Sequence, residues 1–126
     1  MPSSRPVRRE PPRRGELYLA DLDPVAGHEQ GGKRPFLVLS IQGMNRSPLE
    51  MVVGLPVTTT DRSNQLHIRI EPAESGLPRV SYVMPEMVRS ISTRRFRQRM
   101  GRVPIETVET AAAHAGFLVG LGQTRF

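Results

Sequence analysis

Apolar residues along this chain fall into short runs and alternations broken by glycine and proline, a pattern that predicts a sheet of short strands. From Gly15 to Leu22, Leu17 and Leu19 alternate with Tyr18 and Ala20, and Asp21, Asp23 and Pro24 punctuate the end of this first strand. Phe36-Leu37-Val38-Leu39 is continuously apolar, as expected of a central strand covered on both faces. Met51 to Pro56 resumes after Gly43, Asn45 and Pro48, and Pro56, which has no amide proton, is expected to end or kink the third strand. Leu66-His67-Ile68-Arg69-Ile70 alternates as a fourth strand with one wet face, which makes His67 a surface histidine, and Arg79 to Met84 starts a fifth after Gly76 and Pro78.

The period changes near the C-terminus. Pro104 opens a helix in which Ile105, Val108, Ala112, Ala115, Leu118 and Val119 form one stripe, Glu106 and Glu109 suit its positive end, and Gly120 and Gly122 stop it. The stripe reads as core or as cover for a second copy.

Chemistry-bearing residues sit between these elements. Gly27-His28-Glu29-Gln30-Gly31-Gly32-Lys33-Arg34-Pro35 is a glycine-broken loop carrying a carboxylate and a guanidinium, with Arg34 at the end anchored to the second strand. Read by itself, the default is a solvated connection between two strands. Thr58, Thr59 and Thr60 follow the Pro56 kink, where hydroxyls at a strand end face a site or extend the strand. Between Met87 and Arg102 lie Arg89, Arg94, Arg95, Arg97, Arg99 and Arg102 with Phe96 among them, a density that suits phosphate contact or a solvated face.

The formal charge of +6 over 126 residues changes this picture less than its total suggests. Residues 1–14 hold five arginines against Glu10, a net of +4, which leaves +2 for the remainder. With Pro2, Pro6, Pro11 and Pro12, that stretch is expected to be a disordered basic extension, 15–122 a single domain, and 123–126 a short tail. The absence of cysteine rules out disulfides and thiolate metal sites, and no run is long and apolar enough for a membrane helix or a signal peptide. A cytoplasmic protein without membrane attachment is expected. His28, His67 and His114 are scattered, so no metal site and no cofactor are predicted.

Several of these segments, taken together and in order, resemble the MazF/PemK-like toxins of bacterial toxin–antitoxin systems. They are Arg14-Gly15-Glu16, Asp21-Leu22-Asp23-Pro24, Glu29-Gln30-Gly31-Gly32 with Arg34-Pro35, Leu55-Pro56-Val57-Thr58-Thr59, and Val88-Arg89-Ser90-Ile91. The resemblance covers Arg14 to about Leu121 and implies a mainly β fold. Its parts would be a strongly twisted antiparallel sheet closing towards a small SH3-like barrel, short helices and a C-terminal helix. It further implies a homodimeric, sequence-specific, metal-independent endoribonuclease that cleaves single-stranded RNA and is held by a cognate antitoxin. Arg34 and Thr58 would carry cleavage, with Glu29 as general base or merely as the partner of Arg34, and Gln30, Lys33, Thr59 and Arg89 would contact RNA. His28 stands where the family commonly has serine, and the basic extension lies outside the pattern. The alternatives are a non-catalytic barrel that binds RNA or protein, and a gyrase poison of the same fold. The latter needs a tryptophan-bearing tail, and this chain has no Trp.

Overall fold

The computed structural model describes residues 10–22 and 32–123. Its strands are β1 (Glu16–Asp21), β2 (Lys33–Val38), β3 (Met51–Thr58), β4 (Ile68–Ile70), β5 (Ser81–Val83), β6 (Arg89–Ser92) and β7 (Phe96–Arg102). Short helices α1 (Gln42–Asn45) and α2 (Pro72–Ser75) interrupt them, and α3 (Ile105–Leu118) follows the last. Every pairing is antiparallel, in the order β4-β5-β3-β2-β1-β7, with β6 also on β3.

This order forces the sheet to curl. β6 and β7 flank the path β6-β3-β2-β1-β7, so a flat sheet would hold them about 19 Å apart. Yet only the 3-10 turn Thr93–Arg95 joins them, a link of roughly 14 Å even at full stretch. The five strands therefore bend into a half-barrel, the mainly β architecture with a C-terminal helix that the sequence predicts. Its concave face packs Ala20, Leu22, Phe36, Val38, Val52, Ile91 and Phe96, with Tyr18 stacked on Phe96 at 4.4 Å between ring centroids. The alternate residues Leu17, Leu37, Leu55 and Val57 form a second core on the outer face, closed by Val108, Ala111 and Ala115 of α3.

Pro56 does not end its strand. β3 runs on to Thr58, and the Pro56 carbonyl accepts the Met84 N–H at 3.1 Å, so its proton-less nitrogen faces the edge shared by β5 and β6. Between Val57↔Val83 and Gly54↔Arg89 the register shifts by three residues, because Pro85–Met87 loops out as a 3-10 turn. The missing donor falls beside this gap, where no ladder bond is lost.

Other expectations are corrected by packing. β2 begins at Lys33 rather than Phe36, so Arg34 and Pro35 belong to the strand and not to the loop. His67 precedes β4 in a turn, and its side chain is 3% exposed, with Nε2 2.6 Å from Glu86 Oε2. Its side chain is buried, because the alternation begins only at Ile68. In α3 the expected stripe is half wrong: Val108, Ala111 and Ala115 are buried, whereas Ile105, Leu118 and Val119 are exposed. Of the extension expected over 1–14, residues 1–9 lie outside the described residues. Pro12 is buried and its carbonyl accepts from Gln42 Nε2, and Arg14 Nε donates to the Leu39 carbonyl at 2.9 Å.

Candidate functional site

The ladder between β2 and β3 decides where the predicted residues meet. Its register is Phe36↔Pro56, Leu37↔Leu55 and Val38↔Gly54. Carried two residues beyond its end pair Phe36↔Pro56, the same antiparallel register would set Arg34 across from Thr58. Side chains directly opposite in such a pair share a face with Cβ atoms about 5 Å apart. Arg34 has the parity of Phe36 and Val38, and Thr58 that of Val52, so both belong to the concave face, away from α3, at its open end. Twenty-four positions apart in sequence, they come to the same end of the same face because β2 and β3 pair.

Gly54 holds that pairing together. A Cβ there would strike the Leu37 carbonyl oxygen and come within 2.6 Å of the Phe36 ring, so only glycine lets β2 approach β3 this closely.

The Thr58 hydroxyl oxygen accepts the Thr60 N–H at 3.1 Å, which fixes its direction and leaves its proton available for donation. Thr58 is only 3% exposed, so the group is positioned more than presented. Thr59 and Lys33 are exposed, and Arg34 and Arg89 are half-buried. Arg89 lies across from Gly54 and so also faces the concave side, which gives that face a second guanidinium along β3. Glu29 and Gln30 fall outside the described residues; the Leu22 N–H donates to the Gly32 carbonyl at 2.9 Å, which fixes the two ends of the connection that contains them beside β2.

The arginine-rich segment divides. It forms β6 and β7, two strands that the charge pattern concealed. Arg94 pairs with Glu50, Arg97 with Asp21 and Arg99 with Glu16, and Arg95 Nη1 donates to the Asp21 carbonyl. These side chains brace the sheet, whereas Arg89 makes no ion pair with a described carboxylate. Burial pushes the Glu16 carboxyl up, but hydrogen bonds from the Arg99 guanidinium, the Arg13 amide and the Tyr18 hydroxyl outweigh it and hold Glu16 below its ordinary range.

A cleft of about 700 Å³ opens at the far end of β1, against β7 and the start of α3. It is lined by Arg13, Arg14, Glu16, Arg99 and Arg102 among others, and neither Arg34 nor Thr58 reaches it. Among the described residues, no three His, Asp or Glu side chains gather as metal ligands, and no helix is long and apolar enough to cross a membrane.

Comparison with known proteins identifies the family. Endoribonuclease EndoA of Bacillus subtilis is 33% identical over 98 residues, covering 77% of this chain and 84% of EndoA. The crystal structure of MazF from Deinococcus radiodurans superposes with a TM-score of 0.78 at 30% identity, over 89% of this chain and 99% of that one. A MazE–MazF crystal structure from the same organism matches at a TM-score of 0.72 and 30% identity, over 90% and 99% of the two chains. Residues 13–116 match the model of the PemK-like, MazF-like toxins of type II toxin–antitoxin systems, and the chain belongs to that family of endoribonuclease toxins.

Proposed function

We propose that this toxin cleaves single-stranded RNA at particular sequences, without a metal ion, through attack of the ribose 2′-hydroxyl on the adjacent phosphate. The observation that supports it best is the cross-strand placement of Arg34 and Thr58 on the open end of the concave face. RNA carries its own nucleophile, so the protein has three tasks: accept the 2′-OH proton, stabilise charge on the phosphorane oxygens, and protonate the departing 5′-oxygen. Arg34 supplies the charge-assisted, bidentate hydrogen bonds for the second task. Thr58, its oxygen already held by the Thr60 N–H, donates its proton to a phosphate oxygen and so sets the phosphate's orientation. Glu29 is the proposed base, and the departing 5′-oxygen takes its proton from Arg34 or from solvent water. Gln30, Lys33, Thr59 and Arg89 hold the strand on either side.

The proposed setting is the cytoplasm, with a cognate antitoxin as protein partner. A homodimer is favoured by the apolar residues left open at the end of α3: Phe117 is 58% exposed, and Val119 and Leu121 are each 74% exposed. The experiment that tests the activity is incubation of purified protein with single-stranded RNA in EDTA, followed by end analysis of the fragments. Fragments with 5′-hydroxyl and 2′,3′-cyclic phosphate or 3′-phosphate ends are expected. Loss of cleavage in EDTA, or 5′-phosphate ends, would overturn the mechanism.

A further inference from the structure

We infer that Tyr82 is the platform on which a base next to the cleaved phosphate stacks, an assignment that rests on the proposed RNA cleavage at Arg34 and Thr58. Thr58 of β3 pairs with Tyr82 of β5, and Tyr82 pairs in turn with Arg69 of β4. Val57 and Val83 pair into the outer core, so Thr58 and Tyr82 share the opposite, concave side. Together with Arg34, one row therefore crosses four neighbouring strands: guanidinium, hydroxyl, phenol, guanidinium.

The phenol is not used by the fold. Tyr82 belongs to neither core cluster, although both its chain neighbours, Ser81 and Val83, are buried. The described ring contacts join Tyr18, Phe36 and Phe96 and leave Tyr82 out. Its ring is partly exposed, and its hydroxyl forms no hydrogen bond within the described chain. Arg69 beyond it is 60% exposed in its side chain and pairs at 3.0 Å with Glu71, itself 50% exposed, a contact weak enough for a phosphate to displace.

Cation, hydroxyl, ring and cation in a row match the alternation of phosphate and base along a single strand. A base adjoining the phosphate at Thr58 meets the first aromatic face along that row. Stacking uses the π-face that every base has, so Tyr82 contributes affinity and alignment more than base identity.

Tyr82→Trp provides the test, because the chain has no other tryptophan and the substituted ring becomes a single fluorophore in the platform itself. The probe is a single-stranded RNA oligonucleotide spanning a mapped cleavage site, with 2′-deoxyribose at the cleaved nucleotide so that it binds without reacting. Strong quenching of the tryptophan on binding is expected, and Tyr82→Phe should bind like the unmodified protein. Tyr82→Leu should weaken binding about tenfold or more, with an unchanged melting temperature. An unquenched tryptophan, or Tyr82→Leu binding as tightly as Tyr82→Phe, overturns the assignment. If Tyr82→Leu melts early, the tryptophan and phenylalanine variants still decide. Arg34→Ala run in parallel separates the two readings: full cleavage by that variant removes the parent site, whereas lost cleavage with an unquenched tryptophan removes Tyr82 alone.

Discussion

Arg99 donates to Glu16 at 2.6 Å, an ion pair that ties the first strand of the sheet to the last. Glu16 ionises more readily in the folded chain than in the unfolded one, because hydrogen bonds from Arg99, Arg13 and Tyr18 outweigh its burial. A depressed carboxylate pKa adds stability that is fully present above the unfolded value and is lost as pH falls through the folded one. Urea denaturation of the protein and of Glu16→Gln should thus differ by about 1–2 kcal/mol at neutral pH, a figure discounted because Arg99 is half exposed. The gap should close in acid. A difference that persists unchanged below the carboxylate range would mean that Glu16 acts through packing instead.

Arg34→Ala and Thr58→Ala should each lower RNA cleavage by at least about a hundredfold, the scale for removing a group that stabilises developing charge. Arg34→Lys should also lose most of the activity, since a point charge does not reproduce the guanidinium fork. Circular dichroism and melting should change little for Arg34→Ala. Thr58 is buried, so its alanine variant needs Thr58→Ser as a control, which keeps the hydroxyl and should retain most cleavage. Near-native turnover in Arg34→Ala would move the site elsewhere.

Gly54→Ala should destabilise the fold by about 1–3 kcal/mol or more, the range for forcing atoms into a closed space. The obstacle is backbone of β2 and the Phe36 ring, neither of which yields cheaply, and a displaced β2 also carries Arg34 away from Thr58. Gly43→Ala in α1 is the control: its Cβ would meet only a side-chain methyl at 4.0 Å, so it should be neutral or slightly stabilising. Equal melting temperatures for the two variants would contradict the close approach of β2 and β3.

Two truncations distinguish the basic extension from the anchored stretch after it. Removing residues 1–9 deletes Arg5, Arg8 and Arg9 and should weaken RNA binding at low salt, flattening its logarithmic salt dependence by about 0.7 for each lost phosphate contact. Melting temperature and cleaved motif should stay, because phosphate contacts carry no base information. Removing 1–14 also takes the buried Pro12 and the Arg14 bond to Leu39, so this form should melt earlier. If both truncations melt alike, the contacts of Pro12 and Arg14 contribute nothing to stability.

Local order was legible in the residues themselves. The alternation at Leu17 to Ala20, the apolar run at Phe36 to Leu39 and the helix opened by Pro104 reflect backbone and burial preferences that act within a few positions, and each became an element. The segments at Arg34-Pro35 and Leu55 to Thr59 also pointed to the family and to the residues that now face each other. Tertiary structure decided the remainder. The strands on either side of the Thr93–Arg95 turn were hidden because Arg94 in that turn and Arg97 and Arg99 of β7 pair with Glu50, Asp21 and Glu16, partners 44 to 83 positions away that no local pattern reveals. Pro56 stays within its strand because β5 and β6 change places beside it, and the His67 side chain is buried because Glu86 receives its ring. The facing of Arg34, Thr58 and Tyr82 is likewise a property of register. In antiparallel pairing a shift of one residue turns every side chain to the other face, so this alignment exists only once the strands have paired.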